Sequence, residues 1–129
     1  MADKEKETRL YLVRHGETVW NAENRMQGIK DSPLTEKGIK HAQLLAESLA
    51  GMAGPVEKIF SSPLGRAFGT AEIIGRQLSL PVTVDERLVE RNMGIFEGLS
   101  WESVREKYPG EFSKTVSNDN GYQIPEGES

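Results

Sequence analysis

Apolar and polar positions along the chain alternate between two periods, and the alternation is regular enough to name elements. Leu10-Tyr11-Leu12-Val13 is a short apolar run of β-favouring residues, which predicts a strand buried on both faces. Polarity returns at Arg14-His15-Gly16, where glycine permits a sharp turn. After Asp31-Ser32-Pro33-Leu34 the period changes. Thr35 is placed to cap a helix, Glu36 and Lys37 fill its first turn, and Ile39, Ala42, Leu45, Ala46 and Leu49 form one stripe at spacings of three and four. Gly51 and Gly54-Pro55 stop it. Val56 to Ser61 predicts a second strand and Ser62-Pro63 opens a second helix, with Leu64, Ala67, Ala71, Ile74 and Leu78 on its apolar side. Pro81 to Val84 predicts a third strand. The order strand, helix, strand, helix, strand implies an α/β fold with a mostly parallel sheet covered by helices.

Beyond Asp85 the pattern loosens. Residues 100–107 predict a short helix, and 109–127 read as a polar stretch rich in Gly, Asn and Pro. Residues 1–8 read as a flexible charged lead-in, so 9–129 form the expected single domain. The first apolar run is too short for a secretory or membrane segment, which makes a cytoplasmic protein the expectation.

Charge narrows the classes further. Residues 1–96 hold 13 basic and 13 acidic side chains, and residues 97–129 hold 3 and 7, so the whole net charge of −4 lies in the last third. A balanced body lacks the basic field of a nucleic-acid or membrane-surface binder. With no cysteine, disulfide scaffolds, thiolate metal sites and cysteine nucleophiles are excluded.

In an open α/β sheet, ligands bind beyond the carboxyl ends of the strands. Arg14 and His15 follow the first strand, Ser61 and Ser62 end the second, and Glu90 lies beyond the third, with Arg66 in the first turn of the second helix. Two arginines, a histidine and a carboxylate converging there describe a site for an anion, since a guanidinium fork fits phosphate or carboxylate. His15 has three readings on the residues alone: a strand-end cap, a metal ligand, or a nucleophile toward phosphorus. The metal reading lacks partners, because His41 is the other histidine and falls beside the apolar stripe of its helix as a surface residue. Glu90 has apolar neighbours, Val89 and Met93, that would shelter it from water. Trp20, Phe96 and Trp101 read as packing residues.

Ordered blocks then carry a resemblance. Leu12-Val13-Arg14-His15-Gly16-Glu17-Thr18, Trp20-Asn21, Arg25-Met26-Gln27-Gly28 and Asp31-Ser32-Pro33-Leu34-Thr35 with Gly38 come first. Ser61-Ser62-Pro63-Leu64-Gly65-Arg66-Ala67 with Thr70-Ala71 follows, then Glu86 to Gly94, Glu97-Gly98 and Pro125 to Ser129. In content and order these blocks resemble the histidine phosphatase (phosphoglycerate mutase-like) superfamily. The resemblance implies a three-layer sandwich and a phosphohistidine mechanism without metal. In it His15 is the nucleophile, Arg14 and Arg66 bind phosphoryl oxygens, and Glu90 is proton donor and then base. Asn21, Gln27 and Gly28 would line the entrance, with Arg91 a secondary substrate contact. Cofactor-dependent mutases of the family usually carry Tyr and Lys where Met93 and Trp101 stand here, and an arginine pair that residues 102–124 lack. The chain therefore resembles the phosphatase branch, acting on a phosphorylated small molecule with no cofactor; 2,3-bisphosphoglycerate would be required only of a mutase. The remaining alternative is a non-catalytic phosphate-binding or interaction module.

One family feature is missing. The second catalytic histidine, in a hydrophobic-His-Gly context on a later strand, has no counterpart here. The resemblance thus implies a C-terminally truncated member with weak or no activity. The absent strand would leave a gap between the first two strands. Their direct pairing, strand exchange in a homo-oligomer, or a companion fragment would close it.

Overall fold

The computed structural model describes residues 7–52, 54–117 and 121–128. Most of the charged lead-in (residues 1–6) and Ser129 of the last block lie outside the described residues. The architecture is mixed α/β, a parallel sheet with helices packed on it. After the short helix α1 (Val19–Ala22) come α2 (Glu36–Ala50), β1 (Ile59–Ser61), α3 (Gly65–Leu78) and β2 (Val82–Val84), followed by α4 (Trp101–Lys107) and α5 (Pro109–Val116).

α2 forms where its cap and stripe place it. Thr35 is in an extended conformation and its Oγ1 accepts the Gly38 N–H at 3.0 Å, satisfying one of the helix's orphan donors. Ala42, Ala46 and Leu49 are buried, whereas Ile39 at the edge of the stripe is exposed. α3 answers with Ile74, and Ala46, Leu49 and Ile74 make one core cluster sealed by Leu45, Ile59 and Leu78. β1 and β2 pair in parallel, Ile59 with Val82, Phe60 with Thr83 and Ser61 with Val84. Gly75 lets α3 approach this sheet, since a Cβ there would lie 2.7 Å from the Leu80 carbonyl oxygen.

The first expected strand is where the structure departs most. Leu10–Val13 joins no ladder among the described residues; Leu10 is 79% and Leu12 90% exposed. Direct pairing with β1, one of the three ways to close the gap, does not occur. A run meant to be buried on both faces needs neighbours to bury it, and among the described residues no strand pairs with it. β1 is also shorter than expected, and its Phe60 is exposed at 57%.

The stretch 109–127, read as polar, is a correction as well. Pro109 starts α5 at a position where a missing N–H costs nothing. Phe112 reaches the ring of Trp101, and Trp101 meets Phe96 edge-on with centroids 6.2 Å apart. Phe96, Val104 and Ile124 are the buried centre of this second cluster, sealed by Met26, Met93, Leu99, Tyr108 and Tyr122. Residues 125–128 then dock on 92–95: Ile95 N–H donates to the Pro125 carbonyl and Glu128 N–H to that of Asn92. No described helix is long and apolar enough to cross a membrane.

One backbone contact ties the His15 segment to α2. A Cβ on Gly16 would lie 2.6 Å from the Gly38 carbonyl oxygen, and a Cβ on Gly38 would collide with that of Glu17. Gly→Ala inside a helix ordinarily gains about 1 kcal/mol. Gly38→Ala should instead lose about 1–3 kcal/mol, the usual range for overpacking, in urea unfolding.

Candidate active site

The segment that carries His15 is held at Gly16 and Glu17. Gly16 N–H donates to Thr70 Oγ1 at 3.0 Å, and the Thr70 hydroxyl donates to the Arg66 carbonyl at 2.8 Å, one turn back along α3. From α2, Thr35 N–H donates to the Glu17 carbonyl and the Thr35 hydroxyl to Glu17 Oε1. His15 is therefore mounted between the starts of two helices.

Its ring is half-buried, and Nδ1 lies 2.7 Å from the Gly16 carbonyl oxygen. A carbonyl only accepts, so Nδ1 carries the hydrogen and the lone pair of the neutral ring sits on Nε2. Burial, the largest effect, pushes the His15 pKa below its ordinary 6.5. The Gly16 hydrogen bond opposes the shift; the positive charges of Arg66 and Arg14 reinforce it, and the Asp31 carboxylate opposes it. At neutral pH the ring is uncharged.

Arg66 is 3% exposed. Its Nη2 donates to the Gly28 carbonyl at 2.6 Å, and its Nη1 donates to the Lys30 carbonyl at 2.7 Å and to Asp31 Oδ1 at 3.2 Å. These contacts use three of five guanidinium N–H groups, and among the described contacts two remain unspent. Arg14 is exposed. The charges of Arg66, Arg14 and Asp31 all reach the His15 ring, and Asp31 also pairs with Arg66.

Glu90 does not join them. It is exposed, and its Oε1 accepts the N–H of Arg91 at 2.7 Å. The apolar shelter expected from Val89 is not formed, because Val89 is itself 39% exposed. Arg91 is exposed and touches Met93 Sδ. Asn21 spends its Oδ1 on the Thr18 N–H in a reciprocal cap of α1, whose backbone it shares.

Gln27 lines no entrance: it is buried, and its Oε1 accepts from the hydroxyls of Thr18 and Ser32. Gly28 is buried too, with φ at +57° and its carbonyl under Arg66. A side chain there would strike the Met93 N–H and the Arg91 carbonyl. These residues are polar by type but internal by position, because the loop 25–31 is pressed onto residues 91–99. Lys30 N–H donates to the buried Glu97, Gly98 N–H to the Met26 carbonyl, and Arg25 Nε to the Gly98 carbonyl while stacking on Trp20 at 4.3 Å. Ser61 and Ser62 shape the approach to α3, Ser62 Oγ accepting the Leu64 N–H. His41 is exposed on α2.

A histidine whose folded pKa is depressed binds fewer protons in the folded than in the unfolded chain. Stability therefore falls as pH drops from about 6.5 toward the folded pKa and is unaffected above it. Urea midpoints between pH 7.5 and 5 should decline more steeply for the parent protein than for His15→Asn; equal slopes would contradict the assignment.

Residues 10–129 match the model of the histidine phosphatase superfamily (branch 1). A probable phosphoglycerate mutase GpmB of Yersinia pestis is 44% identical over 120 residues, which are 93% of this chain and 55% of that protein. The chain thus spans about half the length of the curated relatives it matches. Among solved structures, Bacillus stearothermophilus YhfR is 41% identical with a TM-score of 0.79, over 89% of this chain and 56% of that one. A putative alpha-ribazole-5'-P phosphatase from Escherichia coli has a TM-score of 0.81 at 28% identity, covering 91% and 57%. A mycobacterial glucosyl-3-phosphoglycerate phosphatase complexed with VO3 has a TM-score of 0.76 at 36% identity, covering 89% and 54%. With the match running through every block that surrounds His15 and Arg66, this chain belongs to the histidine phosphatase superfamily.

Proposed function

We propose that the chain carries the phosphoryl-accepting half of a phosphomonoester phosphatase site. The observation that supports this reading best is the His15 tautomer: Nδ1–H is spent on Gly16, Nε2 is left as a lone pair, and two arginine charges act on it. In the proposed reaction Nε2 attacks phosphorus while the bond to the leaving oxygen breaks. Arg14 and the two unspent N–H groups of Arg66 balance the phosphoryl oxygens. Glu90, which in this structure lies apart from the His15 group, is the candidate by resemblance to supply the proton to the departing alcohol and then take one from water, whose oxygen cleaves the N–P bond. Neither this chemistry nor the phosphate grip calls for a metal or cofactor. The substrate is a phosphorylated small molecule, and the setting cytoplasmic.

Weak turnover is part of the proposal. His41, the other histidine of the chain, stands exposed on α2, and no second histidine is offered to the site. The open Leu10–Val13 backbone also makes strand exchange between two copies the expected route to an oligomer.

The mutase reading is favoured by the name of the Yersinia relative; the phosphatase names among the structural neighbours and the residues at Met93 and Trp101 favour hydrolysis. A binding module that never turns over is the third reading.

Labelled phosphoryl donor should leave acid-labile phosphate on His15, lost in His15→Ala and retained in His41→Ala. Anion binding without labelling would favour the module, and stimulation by 2,3-bisphosphoglycerate the mutase. Arg14→Ala should slow labelling by about 100-fold, the scale of losing one preorganised donor. Because Arg14 is exposed, that loss should come with unchanged urea stability, whereas Arg66→Ala should lose both.

A further inference from the structure

The carboxylate that pairs with Arg66, and whose charge reaches His15, comes from a residue to which the mechanism assigns nothing. Asp31 reaches the start of α3 from 35 residues upstream: Oδ2 accepts the Arg66 backbone N–H at 3.3 Å and Oδ1 accepts Arg66 Nη1 at 3.2 Å. It stands where a helix-capping side chain would, since the capping residue of α3 is Leu64, which has no polar group. Gly65 makes the room, because a Cβ there would lie 2.5 Å from Oδ2. Asp31 is also the acid that pairs with the buried guanidinium among the described ion pairs.

Two facts separate its charge from its grip. The carbonyls of Gly28 and Lys30 hold the guanidinium at 2.6 and 2.7 Å, closer than Asp31 does, so Arg66 keeps its place without the carboxylate. What no carbonyl supplies is a full negative charge beside a cation whose side chain is 4% exposed. An arriving phosphoryl group brings its own negative charge to the same guanidinium and meets Asp31 there.

We propose that Asp31 is a positioning residue that stands in for the ligand's negative charge against Arg66, and so limits how tightly a phosphoryl anion is held. The inference rests on the phosphoryl-site reading. Its physical consequence is release: a product phosphate that faces a fixed carboxylate leaves more readily than one facing arginines alone. The groups whose charges act on the His15 ring are Arg66, Arg14 and Asp31, so the ring reports the balance among them.

The test uses the full chain in a His41→Gln background, where His15 gives the one histidine ring signal in proton NMR. Without ligand, Asp31→Asn should lower the midpoint of the His15 titration, since a negative neighbour is removed. Inorganic phosphate should then bind about fivefold tighter than to the parent, the upper range for a partly exposed charge. Gly65→Ala favours the helix yet pushes the carboxylate aside, so it should shift both readouts the same way by less, and add nothing to Asp31→Asn. A lowered urea midpoint with an unmoved His15 titration would reduce Asp31 to a cap and overturn the proposal; so would weaker phosphate binding by folded Asp31→Asn. If phosphate leaves the parent's His15 signal untouched, the phosphoryl-site reading falls, while the ligand-free titration still judges Asp31. If Asp31→Asn does not fold, Gly65→Ala decides alone.

Discussion

A guanidinium buried at the start of α3 is the constraint on which the rest of the structure depends. A cation taken out of water at 3% exposure costs several kcal/mol unless it is paired and bonded, and Arg66 is bonded to two carbonyls and a carboxylate from one loop. That requirement draws residues 28–31 onto α3. The same loop rests on Glu97 and on the backbone of 91–93, so the α2–α3 cluster and the aromatic cluster around Phe96 are joined through it. Arg66 is a structural bolt, and its carbonyl, through Thr70, also fixes Gly16 behind the histidine.

The parts of the fold legible in the sequence are those decided locally. Thr35, the Ala42–Leu49 stripe and Gly51 bound α2 because a cap and a 3.6-residue period are properties of neighbouring residues. The 100–107 helix was legible for the same reason, Ser100 accepting the Ser103 N–H. Leu10–Val13 was misread because its apolar run describes a buried strand, whereas burial depends on partners that composition does not report. α5 and Ile124 were hidden by the polar residues around them; Phe112 and Ile124 are too sparse to show a period, and only tertiary contact with Phe96 and Val104 makes them a core.

At the site, the sequence placed Arg66 in the first turn of α3, where the structure has it, whereas Arg14 and His15 were placed by a strand that does not form. Gln27 was not legible, since an amide looks like a surface group until Thr18 and Ser32 are seen to point hydroxyls at it. Glu90 was expected from the family pattern, and the chain leaves it in water. Thr70 and Asp31 passed as scaffold within the blocks that carry the family resemblance. Two signals pointed to them, a hydroxyl one turn after Arg66 and an acid before a Ser-Pro turn, but their meaning lies in distances.

The unpaired run ahead of Arg14 has a thermodynamic side. Ordinarily a ladder would confine each of these residues in advance; among the described residues none of Leu10–Val13 joins one, and Gly16 is held by Thr70. Confining a backbone residue costs about 1–2 kcal/mol at room temperature. Ordering only two or three of the four upstream residues during reaction would therefore consume as much free energy as one preorganised arginine provides. In the proposed reaction that cost is entropic and falls on the step in which His15 attacks.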